Sequence, residues 1–156
     1  MFKIVTEPNL ILHKKSLAVS ISDIKAGKFN GLIDNMVKTM IKSDGVGLAA
    51  PQIGKSMHLA IVSMNPERRD SLQPKAFFNP TITFESKEKK VLHEGCLSVP
   101  KQYGLIKRAA KIRVKAIDQN GDEVKIKAKG LLAQIFQHEI DHLNGQLYIE
   151  KVESME

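Results

Sequence analysis

Apolar residues recur at helical spacing in two stretches of the chain and at strand spacing between them. From Asn30 onward Leu32, Ile33, Met36, Val37, Met40 and Ile41 fall three and four apart, which predicts an amphipathic helix ending near Ser43-Asp44-Gly45. The second stretch, Leu131 to Leu143, carries apolar side chains on nearly every side and predicts a helix buried on most faces. Gly130 punctuates its start, and Asn144-Gly145 offers a left-handed stop.

Lys111 to Ile117 and Glu123 to Ala128 alternate apolar and charged residues across Gln119-Asn120-Gly121-Asp122, a hairpin signal with its turn at Asn120-Gly121. His58 to Met64, Ala76 to Phe84 and Lys89 to Leu92 read as further strands, with Pro80 suggesting an edge or an irregular start. Ile4 to Val19 reads as a short extended lead-in and loop with a turn at Pro8-Asn9, and Asn65 to Lys75 as a loop. Strands precede the second helix and do not alternate with helices. The expected class is therefore α+β, mostly antiparallel sheets packed around a central buried helix, with an N-terminal amphipathic helix.

The chain has 156 residues, 42% hydrophobic, which predicts a single domain over 1–156. Its one cysteine excludes an internal disulfide and suits a reducing compartment. The start, charged at Lys3 and broken at Pro8, resembles neither a signal peptide nor a membrane span, so a cytoplasmic protein with no membrane partner is expected. The net charge of +7 would attract anions weakly, but the lysines read as scattered through helix, hairpin and loop without aromatic company, not as a specific nucleic-acid face.

Chemistry enters with the second helix, which contains Gln137-His138-Glu139-Ile140-Asp141-His142, an HExxH box. Positions i and i+4 share a helix face, so His138 and His142 can aim at one metal while Glu139 stands beside it. Leu131, Gln134 and Ile135 share that face. Cys96, in His93-Glu94-Gly95-Cys96-Leu97-Ser98-Val99-Pro100, can supply a third ligand. A thiolate and two imidazoles leave a fourth position open for water, and Glu139 can take that water's proton and return it to a leaving amine. Earlier, Asp44-Gly45-Val46-Gly47-Leu48-Ala49-Ala50-Pro51-Gln52 permits close backbone approach at Gly45 and Gly47; its glycine spacing is not that of a dinucleotide loop.

Together the Gly-x-Gly-Leu-Ala-Ala-x-Gln, Glu-Gly-Cys-Leu-Ser and Gln-His-Glu-x-Asp-His boxes resemble the peptide deformylase family, from about Ile4 to about Tyr148. The resemblance implies metal-dependent removal of the N-formyl group from N-formylmethionine of nascent chains, releasing formate. It implies Fe(II) as native metal, with Zn(II), Ni(II) or Co(II) able to replace it, and assigns the backbone amide of Leu97 and the side-chain amide of Gln52 to the oxyanion. An apolar methionine pocket is expected from Val46, Leu92, Leu131 and Ile135 with Gln134 as a polar member, while Gly45, Gly47 and Gly95 offer backbone to the peptide. Glu94 and Arg108 match the charged pair that steadies the cysteine loop.

Two departures stand out. Tyr103, in Gln102-Tyr103-Gly104, occupies the place of a substrate-contacting arginine in some members, and with Glu156 only 14 residues beyond His142 the C-terminal ribosome-docking helix of others is not expected here. A monomer with weak electrostatic contact to the ribosome is expected. Competing readings are a zincin-like peptidase, against which Cys96 and Gln52 weigh, and a catalytically idle nascent-chain or RNA-binding module, which would have little use for an intact Glu139.

Overall fold

The computed structural model describes residues 1–155. Helix α1 (Ile21–Lys25) begins at Ser20, whose hydroxyl accepts the Asp23 amide, and α2 (Asn30–Lys42) follows. As expected, α2 turns Ile33, Met36 and Met40 into the core. Ile41 is the exception: one step past Met40 around the helix, it lies off the buried arc and is 52% exposed. Thr39 takes an unforeseen place in that arc because its hydroxyl donates to the Asn35 carbonyl and accepts the Phe2 amide, both at 2.8 Å. A buried hydroxyl needs such partners.

All strand ladders are antiparallel. The larger sheet has the order β1 (Gly47–Ala49), β2 (Leu59–Ser63), β3 (Pro74–Glu85), β6 (Lys111–Ile117), β7 (Glu123–Lys129); the smaller has β4 (Lys89–Cys96), β5 (Val99–Ala109), β8 (Val152–Met155). The expected loop over 65–75 therefore ends two residues early, since Pro74 and Lys75 begin β3. Pro80 sits inside the sheet, not at an edge. It is accommodated at a register shift between Phe78 and Thr81, where the ladder asks for no donor. Asn79 (φ 50°) holds the irregularity by exchanging two side-chain hydrogen bonds with the Val19 backbone, at 2.8 and 2.9 Å.

Strand β4 runs past the expected end at Leu92 to Cys96, and β5 was not expected at all. Its exposed run Pro100-Lys101-Gln102 bulges between the Cys96–Val99 and Gly95–Tyr103 pairs, and from Tyr103 onward pairing with β4 holds the strand. The β6–β7 hairpin forms about the expected turn, as a three-residue loop over 119–121 closed by Asp118, whose carboxylate accepts the amides of Asn120 and Asp122, with Gly121 alone at positive φ.

Helix α3 (Gly130–Leu143) lies against both sheets and is buried on most sides, as expected, and Gly145 (φ 77°) makes the stop. Phe136 packs edge-to-face on Phe77 at 5.1 Å within a cluster that includes Val62, Ile112 and Val114; truncation to Ala would cost about 3–5 kcal/mol. Gln137 fastens the helix to the smaller sheet, accepting the Ala109 amide at 2.9 Å and donating to its carbonyl at 3.0 Å. Its place in the motif is thus structural.

One expectation about charge changes with the fold. The hairpin register sets Lys111 opposite Lys129, Arg113 opposite Lys127 and Lys115 opposite Lys125, with Phe84 of β3 alongside Arg113, so basic residues spaced along the sequence form one face with an aromatic beside them. Strand alternation sends every second residue to the same side, and pairing sums two such rows.

Candidate metal centre

Helix α3 presents His138 and His142 one turn apart, Nε2 to Nε2 at 3.0 Å, and the end of β4 brings Cys96 Sγ to 3.2 Å from His142 Nε2. One donor atom from each of the three residues lies within 4.8 Å of the others. A tetrahedral ion with nitrogen at about 2.0 Å and sulfur at about 2.3 Å separates its ligand atoms by roughly 3.3–3.6 Å, so this donor set fits a borderline-soft divalent metal. A register shift between Gly95 and Cys96 swings the sulfur off the β4 ladder and toward the helix. Pleated pairing alone would not aim it there.

His138 Nδ1 lies 3.1 Å from Glu94 Oε2, which fixes that nitrogen as donor and leaves Nε2 facing Cys96 and His142. Glu94 in turn receives a two-pronged grip from Arg108, at 2.6 and 3.2 Å, and Arg108 reaches Asp141 at 2.6 Å; Lys151 closes the chain on Asp141 at 3.1 Å. Burial alone would raise the Glu94 carboxyl, but hydrogen bonds and charge from His138 and Arg108 outweigh it and hold the group at about 2. The expected Glu94–Arg108 pair is present, and Asp141, inside the histidine motif, is the member the sequence reading passed over. Its spacing of three from His138 was the available signal.

His142 is held neutral, well below the ordinary imidazole range, by burial and then by the charge of His138. For His138 burial also favours the neutral ring, yet the hydrogen bonds to Cys96 and Glu94 raise it well above that range. A cation held by these atoms would take the place of that proton. Burial pushes the Glu139 carboxyl up to about 7, against the charge of His138. Its Oε1 is buried with no hydrogen-bond partner among the described residues, as is Nδ1 of His142. Ordinary folded carboxylates do not stay so placed, and the orphaned oxygen points to a water or substrate atom as its partner.

The reason Glu139 fits is Gly47: a Cβ there would stand 2.5 Å from Glu139 Oε2. Gln52 is buried next to the same centre, its oxygen accepting the Ala49 amide at 2.9 Å and its nitrogen 3.7 Å from Cys96 Sγ and 3.2 Å from Ser98 Oγ. A cleft of about 600 Å³ opens beside these groups and is lined by Gly45, Val46, Gly47, Gln52, Glu94, Gly95, Cys96, Leu97, Leu131, Gln134, Ile135, His138 and Glu139, all foreseen. Leu92 is not in the lining; it is half-buried on β4, two residues before Glu94 and further along the strand from the cysteine. Gln134 spends its amide on the His93 carbonyl, at 2.9 Å, tying α3 to β4.

These boxes now stand in space as well as in order, and the family described as polypeptide deformylase matches the chain over residues 1–156. The chain belongs to the peptide deformylase family. The peptide deformylase of Thermodesulfovibrio yellowstonii is 45% identical over 146 residues, 93% of this chain and 85% of that one. That of Halothermothrix orenii is 50% identical over 121 residues, 78% of this chain and 75% of that one. Among solved structures, the Thermotoga maritima peptide deformylase overlays with a TM-score of 0.89 at 35% identity, covering 98% of each chain. The class I type b peptide deformylase of Acinetobacter baumannii, with Met-Ala-Ser bound, does so at 0.89 and 35%, covering 97% and 98%.

Arg69 and Lys101 line the cleft without any signal in the sequence reading, Asp44, His93, Val99 and Pro100 stood in its boxes without a role, and Tyr103, marked as a departure, lines the cleft too. Arg69, from the loop after β2, reaches the Asp44 carboxylate at 3.7 Å across the rim. Tyr103, the departure from the arginine of some members, is 58% exposed and lies over Gly95, where a Cβ would come within 2.7 Å of its ring. Among the described residues no helix is long and apolar enough to cross a membrane.

Proposed function

We propose that this protein is a metal-dependent amidase that removes the formyl group from N-formyl-methionyl peptides, with Cys96, His138 and His142 as the metal ligands. The observation that carries the reading is a buried Glu139 carboxylate, unpartnered at Oε1, beside three soft donors and an adjoining cleft. Iron(II) is the native metal on the family's pattern, and zinc, nickel or cobalt can replace it. A metal ion held there supplies Lewis acidity, making water nucleophilic near neutral pH and polarising a carbonyl.

Two strands that each end their sheet border the cleft, β1 with its preceding residues Gly45 and Val46, and β4 at Gly95. An extended peptide laid between them extends both sheets by backbone hydrogen bonds. The methionine side chain then enters the apolar part of the cleft at Val46, Leu131 and Ile135. Glu139, with its carboxyl raised toward neutrality, takes a proton from the attacking water as oxygen bonds to the formyl carbon. Gln52 Nε2 and the Leu97 amide donate to the oxyanion. Glu139 passes the proton to the amine nitrogen as the C–N bond breaks, leaving formate and a free amino terminus. The Met-Ala-Ser bound to the Acinetobacter baumannii relative has the chemistry of such a product. Glu94, Arg108 and Asp141 position His138 and the Cys96 strand.

The substrates are nascent chains in the cytoplasm, met by a monomer with weak, charge-driven contact to the ribosome. Formate release from formyl-Met-Ala-Ser by protein loaded anaerobically with Fe(II) tests the reading; release no greater than that of the metal-free protein removes it.

A further inference from the structure

The outward face of the β6–β7 hairpin has no part in this chemistry. Its three rungs are Lys111 and Lys129, Arg113 and Lys127, Lys115 and Lys125, and all six side chains are exposed. Like charges directly opposite one another weaken a sheet. The acid on this face is Glu123, 3.2 Å from Lys115. Elsewhere exposed lysines have found carboxylates, as in Lys28–Asp23, Lys89–Glu85 and Lys107–Glu153. Here Lys115 alone has one among the described residues, and the repulsion in the other two rungs is left standing.

Rungs two residues apart along a strand repeat every 7 Å or so, giving a flat, regular row of cations about 14 Å long. On its flank the Arg113 guanidinium lies 5.1 Å from the ring of Phe84, which is 46% exposed. Phe84, Arg113 and Lys127 border a shallow groove of about 320 Å³ that Lys111 and Lys129 share. A second groove, of about 420 Å³, runs from Lys111 and Lys129 to Leu131, which also lines the cleft at the metal centre. The basic face thus adjoins the mouth of the cleft across a groove of mixed charge, which Glu67, Glu88 and Lys90 also line.

We propose that this face is an RNA-binding surface, gripping the phosphate backbone without reading base sequence and holding a structured RNA next to the cleft. Regularly spaced cations on a flat sheet match a polymer of regularly spaced phosphates, and an exposed aromatic under a guanidinium offers a platform for an unpaired base. A lipid surface would ask for an apolar stripe able to insert, and the face carries Phe84 alone among exposed large apolar residues. An acidic protein partner would ask for a buried apolar anchor. The expectation of scattered lysines is replaced by a surface that exists only through strand pairing.

The test is fluorescence anisotropy with a labelled RNA hairpin of about 20 base pairs, over KCl from about 50 to 200 mM. Lys125→Glu/Lys127→Glu turns two rungs into opposite-charge pairs, and Lys38→Glu/Lys42→Glu on exposed positions of α2 makes the same change in net charge. The wild type should bind with steep salt dependence. The hairpin variant should lose roughly tenfold or more in affinity and about two units of the log–log salt slope, the α2 variant less than about threefold. Lys125→Gln/Lys127→Gln should fall between. The hairpin variants should melt no lower than wild type, because complementary pairs replace repelling ones, and formate release should be the same in all, so a failure of RNA binding is separable from a failure of the deformylase reading. Salt-insensitive or absent RNA binding by the wild type would overturn the proposal. So would equal losses in the hairpin and α2 variants, or tighter binding to phosphatidylserine vesicles than to RNA.

Discussion

Gly47→Ala gives the most direct access to the catalytic geometry. The added Cβ would meet Glu139 Oε2 at 2.5 Å and its Cδ and Cγ at 3.0 Å, roughly 1 Å inside ordinary contact. Gly47 has no positive φ, so the backbone accepts alanine, and the nearest three atoms the new Cβ meets all belong to Glu139. The carboxylate is 5% exposed on a helix wedged between two sheets, and relief comes from its moving by about 1 Å. Displacement of that size in a proton-transferring group costs on the order of 10²-fold in rate. Overpacking costs about 1–3 kcal/mol, less roughly half a kcal/mol returned by the stiffer unfolded chain, which lowers Tm by a few degrees in a domain this size. None of the three sulfur and nitrogen ligands is touched, so metal content should remain at the wild-type level. The assay is kcat/KM for formyl-Met-Ala-Ser with metal content and Tm measured on the same preparation. Adding Glu139→Asp, which withdraws the carboxylate by a methylene, should restore the melting loss, and the two changes should couple strongly in a double-mutant cycle. Activity within about threefold of wild type in Gly47→Ala would refute the placement of Glu139 as the proton carrier pressed against this glycine.

Glu139→Gln should keep its metal while losing about 10²-fold or more in turnover, and Cys96→Ala should fail to retain metal; the opposite pattern on metal analysis would reverse the two roles. Glu94 is held at about 2, below its ordinary value, so its contribution to stability is present above the ordinary carboxylate range and is lost as pH falls from there through about 2. The loss amounts to roughly 3 kcal/mol, and urea unfolding of wild type against Glu94→Gln across that range should show the difference vanish in acid. In one apo preparation reloaded with different metals, the Fe(II) form should be the most active and should decay in air through oxidation of iron or of the Cys96 sulfur. Ni(II) or Co(II) should preserve activity, while Zn(II) should be air-stable and slower. Equal, air-stable turnover with all four would count against a thiolate-ligated ferrous site.

What the sequence determined by itself is whatever depends on neighbours within one element. The i, i+4 spacing of His138 and His142 already puts both rings on one face of a helix, and the apolar residues all round that helix already require it to be buried. The alternation on either side of Asn120-Gly121 likewise set the hairpin, while its register follows from the three-residue loop that Asp118 closes. Cys96 could be nominated by its uniqueness and its box, but the tertiary structure decided its aim, through a register shift at Gly95. The same holds for the contacts that cross between elements: Gly47 against Glu139, Arg108 joining Glu94 of β4 to Asp141 of α3, Tyr103 over Gly95, and three cationic rungs on one face. Pro80 inside the sheet and β5 through a polar run belong with them, because a strand's place is settled by the partner it pairs with and not by its own pattern. Local periodicity is a property of one element's backbone, whereas the distance between two side chains from different elements is a property of how the sheets and the helix pack.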